Sequence, residues 1–525
     1  MLAAIDWSAF SVFVVVGGFV AVTGLVAGRW RRAKLDSLEE WGLAGRRFGS
    51  VVTWFLVGGD LYTAYTFVAV PALVFGKGAV GLFAIPYTIV VYPIVLMTMP
   101  RLWQVARNRG YVTGSDFVRE RFDSRLLALL VAVTGIVATM PYIALQMYGI
   151  EVVLAQMGIP VEASLWAAFA ILAAFTYIAG LRAPALLAVV KDTIIWAAVL
   201  TCVIYIPLKL GGYGSIFHRV PLAMKTLPAG SEAAYASLFF GSALALFLYP
   251  HALTAVFSAQ SQKVVKRNAA LLPAYSFLLG LIALLGYMAL AAGIKPTGSF
   301  GANSAVPSLI RQMFPGEFAG FAFAAIMVGA LVPASVMSIA AANLFSRNIW
   351  RDYVRRHAAP REEAVVSRLA SLVVKVAALV FILYLPTTEV INFQLAGGVW
   401  MLQTLPAILF ALYTRWLHRW AVVAGWLTGT GWGTYMLAMN HFQGSTYAPG
   451  GLGAHWTWYI GLYAVLANIV VVAGGTALAA ALGWRPGRGG VLDEEFERDL
   501  ESPLSRETEP LALEPEAEGV SPRRI

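Results

Sequence analysis

Several polar groups sit inside long apolar runs, where each needs a reason. Phe55-Leu56-Val57-Gly58-Gly59-Asp60-Leu61-Tyr62-Thr63 places a carboxylate beside a glycine pair in mid-run. Glycine lets a helix leave its regular geometry, and the carbonyls freed there can coordinate a cation. Gly58, Asp60 and Leu61 are therefore candidate ion-coupling positions. A glycine packing notch, with Asp60 hydrogen-bonded to a neighbouring helix, would leave the same pattern. A second run is interrupted by Leu248-Tyr249-Pro250-His251. Pro250 lacks a backbone donor and kinks or breaks a helix. His251 beside it could bind a solute, carry a proton, or simply pack. Lys191-Asp192 lies well inside a third run, too deep for ordinary loop charges, although lysine can snorkel. Neighbours on a helix point about 100° apart, so these two need not pair. Lys375 lies nearer the end of its run and fits snorkelling. Gln146, Gln394, Gln403 and the nearby Trp400 add uncharged donors and acceptors, a type that also bridges helices.

Catalytic signatures are missing. There is no Walker A sequence, no His-Glu-x-x-His and no Cys/His metal cluster, so neither an enzyme nor a cofactor is expected. Cys202 is the single cysteine and excludes an intramolecular disulfide.

The elements that must position these groups follow from composition. The 525 residues are 59% hydrophobic and 13% charged, against about 25% charged in a soluble domain, and mean hydropathy is +0.72. The apolar residues form runs of roughly 20, the length that crosses a bilayer. We read about thirteen spans, near 8–28, 51–75, 79–100, 126–154, 163–180, 183–207, 236–260, 268–292, 318–346, 369–386, 389–413, 418–439 and 457–482. The net charge of +10 sits in short clusters between runs, which is a topology signal and not a nucleic-acid surface. Lys and Arg are dense in 29–50, 101–125, 261–267, 347–368 and 414–419 and sparse in 76–78, 155–162, 387–388 and 440–456. That alternation places the dense loops in the cytoplasm, the N-terminus outside and the C-terminus inside. The exception, 208–235, is long, and long loops obey the rule less well. Charge follows the first run and does not precede it, so it reads as a spanning helix and not a cleavable signal. From Trp484 the chain is rich in Glu, Pro, Ser and Arg, and 484–525 is expected to be a disordered cytoplasmic tail.

Setting the first span aside, the two breaks fall at the first and sixth of ten helices. Two inverted five-helix repeats with a solute site at mid-membrane have that arrangement. The expected units are 1–50 (first span and loop), 51–207 and 236–413 (the repeats), 418–483 (two added helices) and the tail.

The chain resembles the sodium:solute symporter family over about Trp41 to Trp484. The resemblance is carried by Gly42-Leu43-Ala44-Gly45-Arg46-Arg47, Asp60, Val112-Thr113-Gly114-Ser115-Asp116-Phe117 with Arg121-Phe122, Tyr249-Pro250-His251 and Asn348-Ile349-Trp350-Arg351-Asp352-Tyr353. Val190-Lys191-Asp192-Thr193, Ala330-Leu331-Val332-Pro333-Ala334, Met337 to Leu344 and Gly397-Gly398-Val399-Trp400 through Pro406 look most like the bacterial monocarboxylate permease branch. The resemblance implies an all-α integral membrane protein of LeuT type: five-plus-five inverted repeats, extra flanking helices and alternating access. It further implies symport of lactate, pyruvate, acetate or propionate with a cation, in the bacterial inner membrane. Implied solute contacts are Tyr62, Thr63, Tyr142, Gln146, Tyr249, His251, Trp400 and Gln403.

One departure stands out. The family's sodium site uses first-repeat-helix carbonyls and adjacent hydroxyl residues on the eighth helix. Aligned without gaps from Asn348-Ile349-Trp350, that pair falls on Val332 and Pro333. Ser335 and Ser338 are close by, and another alignment recruits one of them. Lys191, just before the family's acid Asp192, could put its ammonium where the ion would bind, which favours a proton over sodium. Sodium-coupled uptake of proline, pantothenate or a sugar is the alternative within the class. A transporter-like membrane sensor is the alternative outside it, against which the tail carries no output domain.

Overall fold

A computed structural model describes residues 5–29, 36–296, 298–384, 391–450, 453–484, 490, 491 and 493–497. The expected break at 386–389 and most of the expected tail lie outside these residues. Among the described residues, nine helices are long and apolar enough to cross a bilayer. The bent pair Glu232–Leu246 and Pro250–Phe257 makes a tenth. The spans expected near 51–75, 163–180 and 418–439 are also helical: Ser50–Gly58 with Val70–Lys77, Val161–Ala179, and Arg419–Met439. Each of these is interrupted, short or less apolar, so length and hydropathy alone admit ten crossings.

Both breaks have local causes. Ser50–Gly58 stops at Gly59, and Tyr62 leaves helical geometry with φ −97° and ψ 83°. The chain resumes as a wide π turn, Tyr65–Ala69, and continues as Val70–Lys77 with Pro71 in the first turn, where a missing N–H costs least. The second break turns the chain by 47°. Tyr249 is extended there (φ −59°, ψ 140°) and Pro250 opens the next helix.

Gly316–Leu344 is the central helix, with its whole apolar window buried. It packs against Trp7–Arg29, Arg125–Gln156, Arg182–Leu210 and Pro360–Tyr384. Small residues permit this closeness: a Cβ on Gly320 would lie 2.1 Å from the Ala9 carbonyl oxygen. Beyond Leu344 the helix widens into the π-type segment Phe345–Val354. Some helices outrun their apolar runs. Pro360–Tyr384 begins well before the expected 369, because hydropathy marks where lipid starts, not where the helix starts.

Two findings depart from the sequence reading. Thr446–Tyr447 pairs antiparallel with Trp458–Tyr459, a small ladder between the last two helices. Val491 and Phe496, assigned to the disordered tail, are buried. The tail cannot form a core by itself, but these two side chains are covered by other elements.

Candidate functional site at the helix breaks

The first break and the Arg182–Leu210 helix meet at Lys191, which is 1% exposed. Its Nζ donates to the Gly59 carbonyl at 2.5 Å and the Tyr62 carbonyl at 3.3 Å, and lies 3.0 Å from Asp192 Oδ1. Two of the ammonium's three N–H donors are thus met by carbonyls, and the carboxylate balances its charge as an ion pair. The sequence reading left the neighbours Lys191 and Asp192 free to diverge; the long lysine chain folds back and they pair. Tyr275 Oη donates to Asp192 Oδ2 at 2.7 Å. Tyr62 Oη donates in turn to the Tyr275 carbonyl at 3.2 Å. Gly58 is what admits Tyr275, since a Cβ there would lie 2.2 Å from the ring. Thr66 Oγ1 donates to the Leu61 carbonyl within the same break. The Asp60 side chain lies outside the described residues.

Ser335 and Ser338 are fully buried and donate back along their own helix, to the Leu331 carbonyl at 2.8 Å and the Ala334 carbonyl at 2.7 Å. The side of that helix facing the break is Val332 and Pro333. They line a small cavity with Gly59, Lys191 and His251.

The second break brings three rings together. Tyr142 stands 5.7 Å from Tyr249 and 5.5 Å from His251, with Tyr249 and His251 5.3 Å apart between centroids. Tyr249 Oη donates to the Gln394 carbonyl at 3.0 Å. Gln146 joins the two breaks: its Oε1 accepts from Ala64 N at 2.9 Å and its Nε2 donates to the Tyr142 carbonyl at 3.3 Å. Thr63 Oγ1 accepts from Tyr65 N at 3.0 Å. Tyr62, Thr63, Tyr142, Gln146, Tyr249 and His251 are thus gathered around the two breaks, and all are buried.

Trp400 and Gln403 are not part of this group. Trp400 Nε1 donates to Thr434 Oγ1 at 3.0 Å. Gln403 Oε1 accepts from Asn468 Nδ2 at 3.2 Å and Nε2 donates to the Val399 carbonyl at 2.8 Å. Both therefore face the last two helices. Helical geometry gives the reason: at about 100° per residue, Trp400 and Gln403 lie roughly 120° and 180° round the helix from Gln394.

Comparison with known proteins agrees with this architecture. The sequence profile of the sodium:solute symporter family matches residues 41–429. This chain belongs to the sodium:solute symporter family. The symporter is 50% identical over 485 residues to the monocarboxylate transport permease protein of Rhizobium johnstonii, covering 91% of this chain and 98% of that one. It is 35% identical to the uncharacterized symporter YodF of Bacillus subtilis, covering 86% and 90%. It is 23% identical to the osmoregulated proline transporter OpuE of Bacillus subtilis, covering 78% and 86%. A solved Na+-coupled sialic acid symporter, substrate-bound and outward-open, superposes with a TM-score of 0.73 at 16% identity, covering 90% of this chain and 98% of that one. The fold is LeuT-type.

Three of the motifs that carried the resemblance, 42–47, 112–117 and 348–353, meet at the basic face of the symporter. Thr113 caps the Gly114–Phe122 helix with Asp116 in a reciprocal capping box. Asn348 Nδ2 donates to Asp116 Oδ1 at 3.0 Å, and Thr113 Oγ1 donates to Asn348 Oδ1 at 2.8 Å. Arg119 pairs with Asp352 at 2.8 Å. Arg46, buried, donates to the Tyr111 and Phe257 carbonyls. Their polar atoms are taken up by one another and by backbone carbonyls.

Sequence reasoning missed Tyr275. It is an ordinary aromatic two residues after Pro273, and only the packing shows that it reaches Asp192. Lys375 also differs from expectation: it does not snorkel, but is fully buried and donates to the Ser371 carbonyl at 2.8 Å.

Proposed function

We propose that the symporter carries small monocarboxylates, of the lactate, pyruvate, acetate and propionate class, together with a proton. The single observation behind the coupling assignment is the Lys191 ammonium on the Gly59 and Tyr62 carbonyls, with Val332 and Pro333 opposite it. A fixed positive charge there disfavours a second cation, and neither Val nor Pro offers a side-chain oxygen. Lysine, unlike arginine, can release its proton where polarity is low. In this reading the protonated form holds the broken helix, and loss of the proton releases it, so protonation governs which face opens. The substrate class is supported by the likeness to the Rhizobium johnstonii permease. The solute carboxylate would meet backbone amides at the helix starts of the two breaks, beside Tyr62, Thr63, Tyr142, Gln146, Tyr249 and His251. We place the basic face in the cytoplasm of a bacterial inner membrane, with the N-terminus outside and the C-terminus inside.

A sodium-coupled symporter of another small solute is the second reading, supported by the likeness to OpuE and to the sialic acid symporter. Uptake of a panel of labelled acids, proline and sialic acid into proteoliposomes separates the two when sodium and proton gradients are imposed one at a time. The expected result is accumulation of monocarboxylates on an inward proton gradient without sodium. Accumulation that requires sodium rejects the coupling, and no monocarboxylate uptake under either gradient rejects the substrate.

A further inference from the structure

The chain after the last spanning helix returns to the basic face and is held there by several different contacts. Glu495, 3% exposed, sets its two oxygens 2.5 Å from Arg109 Nη2 and Nε, a bidentate pair. Its carbonyl accepts from Asn108 Nδ2 at 3.0 Å. Asp493 Oδ1 accepts from Arg415 Nε at 3.0 Å and lies 3.8 Å from Arg121 Nη1. Arg415 Nη2 also donates to the Val491 carbonyl at 2.8 Å. Phe496, 1% exposed, meets the Phe117 ring edge-on at 6.2 Å. The Arg101 and Arg121 guanidiniums lie 5.2 and 5.7 Å from the Phe496 ring centre. Exposed ion pairs alone would hold little. A bidentate pair at a buried carboxylate and a buried aromatic under two cations hold more.

The elements joined in this way are those that would have to separate. Arg101, Asn108 and Arg109 belong to Ala84–Arg109, and Phe117 and Arg121 to Gly114–Phe122. Arg415 follows the 391–412 helix, and Arg121 Nη2 donates to the Thr414 carbonyl at 3.0 Å. A small cavity beside the second break is lined by Thr113, Gly114, Pro250, Thr254, Met401 and Ile408, residues of the break, of the start of Gly114–Phe122 and of the 391–412 helix. A solute leaving by the basic face must part Gly114–Phe122 from the 401–415 stretch. Asp493 bridges Arg121 and Arg415, one on each side of the parting line.

We propose that residues 490, 491 and 493–497 form a strap that holds the basic-face exit closed and slows its opening, and that the arginine surface beneath is built for an acidic segment bearing one aromatic side chain. The proposal and its hydrogen-exchange readout rest on neither the substrate nor the coupling cation; the turnover readout rests on the monocarboxylate reading above. Three proteins in lipid nanodiscs test it: the full chain, the chain ended after Trp484, and the full chain with Glu495→Gln and Phe496→Ala. Hydrogen exchange is read in 112–122 and 402–415, with no substrate present. Both altered proteins are expected to exchange there about fivefold faster or more, with the Arg125–Gln156 helix unchanged. In proteoliposomes their counterflow turnover of pyruvate is expected to rise about two- to threefold at unchanged KM. The double variant keeps the chain whole, so misfolding of the shortened chain does not decide the result. Unchanged exchange in 112–122 and 402–415 overturns the proposal whatever solute is carried. Where the full chain turns over pyruvate, turnover of the double variant at or below it overturns the proposal too, whereas no pyruvate turnover by the full chain counts against the substrate reading and leaves the exchange result to decide.

Discussion

Lys191 donates to two carbonyls of the first break and forms an ion pair with Asp192 Oδ1 at 3.0 Å. Removing one member of a buried charge pair leaves the other uncompensated, at about 3–5 kcal/mol. Lys191→Ala is therefore expected to lose gradient-driven accumulation and part of its thermal stability, while slow exchange persists. Lys191→Arg keeps the charge but not the ability to release it, and is expected to bind solute yet fail to accumulate it on a proton gradient. Full accumulation by Lys191→Arg, together with sodium-dependent uptake by the wild type, would reduce Lys191 to a structural residue. Tyr275 belongs to the same unit, because its hydroxyl fixes Asp192 and its ring fills the place left by Gly58.

The helix Ile391–Met401, continued through 412, presents two different sides. One brings the Gln394 carbonyl to Tyr249. The other sends Trp400 to Thr434 and Gln403 to Asn468, and the Gly429 notch leaves room for the Gln403 amide. Polar residues of the same helix therefore separate by function. Gln403→Ala is expected to lower thermal stability by about 0.5–1.5 kcal/mol, through loss of one of the two bonds from Asn468 Nδ2, which keeps the residue-403 carbonyl at 2.9 Å, with KM unchanged. Tyr249→Phe is expected to raise KM for a monocarboxylate several-fold while the melting temperature moves little. Direct measurement of KM and melting temperature on both variants checks the division. A raised KM in Gln403→Ala without destabilisation would return that residue to the solute site.

At the scale of the whole molecule, three sets of contacts lie on the basic face: Arg46 on two carbonyls, the Thr113–Asp116–Asn348 network, and residues 490, 491 and 493–497. The opposite face has no such layering of arginines among the described residues. Charge of this density on one side matches the rule that basic loops stay in the cytoplasm. The single cysteine, Cys202, is buried, so Cys202→Ser gives a clean background for labelling. A cysteine placed at Lys263 is expected to react with a membrane-impermeant maleimide only after cells are opened, and one at Tyr213 without opening. The reverse pattern would invert the topology.

The sequence determined the class and the break points by itself. Runs of about 20 apolar residues have few structural solutions in lipid, and a glycine pair or a proline inside such a run marks a discontinuity from local chemistry alone. The family resemblance, aligned without gaps from Asn348-Ile349-Trp350, put the sodium-site pair on Val332 and Pro333, and both line the cavity beside Lys191. Tertiary structure decided which polar residues meet. Lys191 and Asp192 were seen as deep charges, but their partners Gly59, Tyr62 and Tyr275 come from two other helices, which no local pattern encodes. Gln403 and Gln146 were indistinguishable in sequence, since each is one glutamine in an apolar helix. Only the rotation of each helix against its neighbours turned Gln146 toward the breaks and Gln403 away from them. The 490–497 segment shows the same limit: its composition forbids a core of its own, and the surface that buries Phe496 belongs to helices more than 300 residues earlier in the chain.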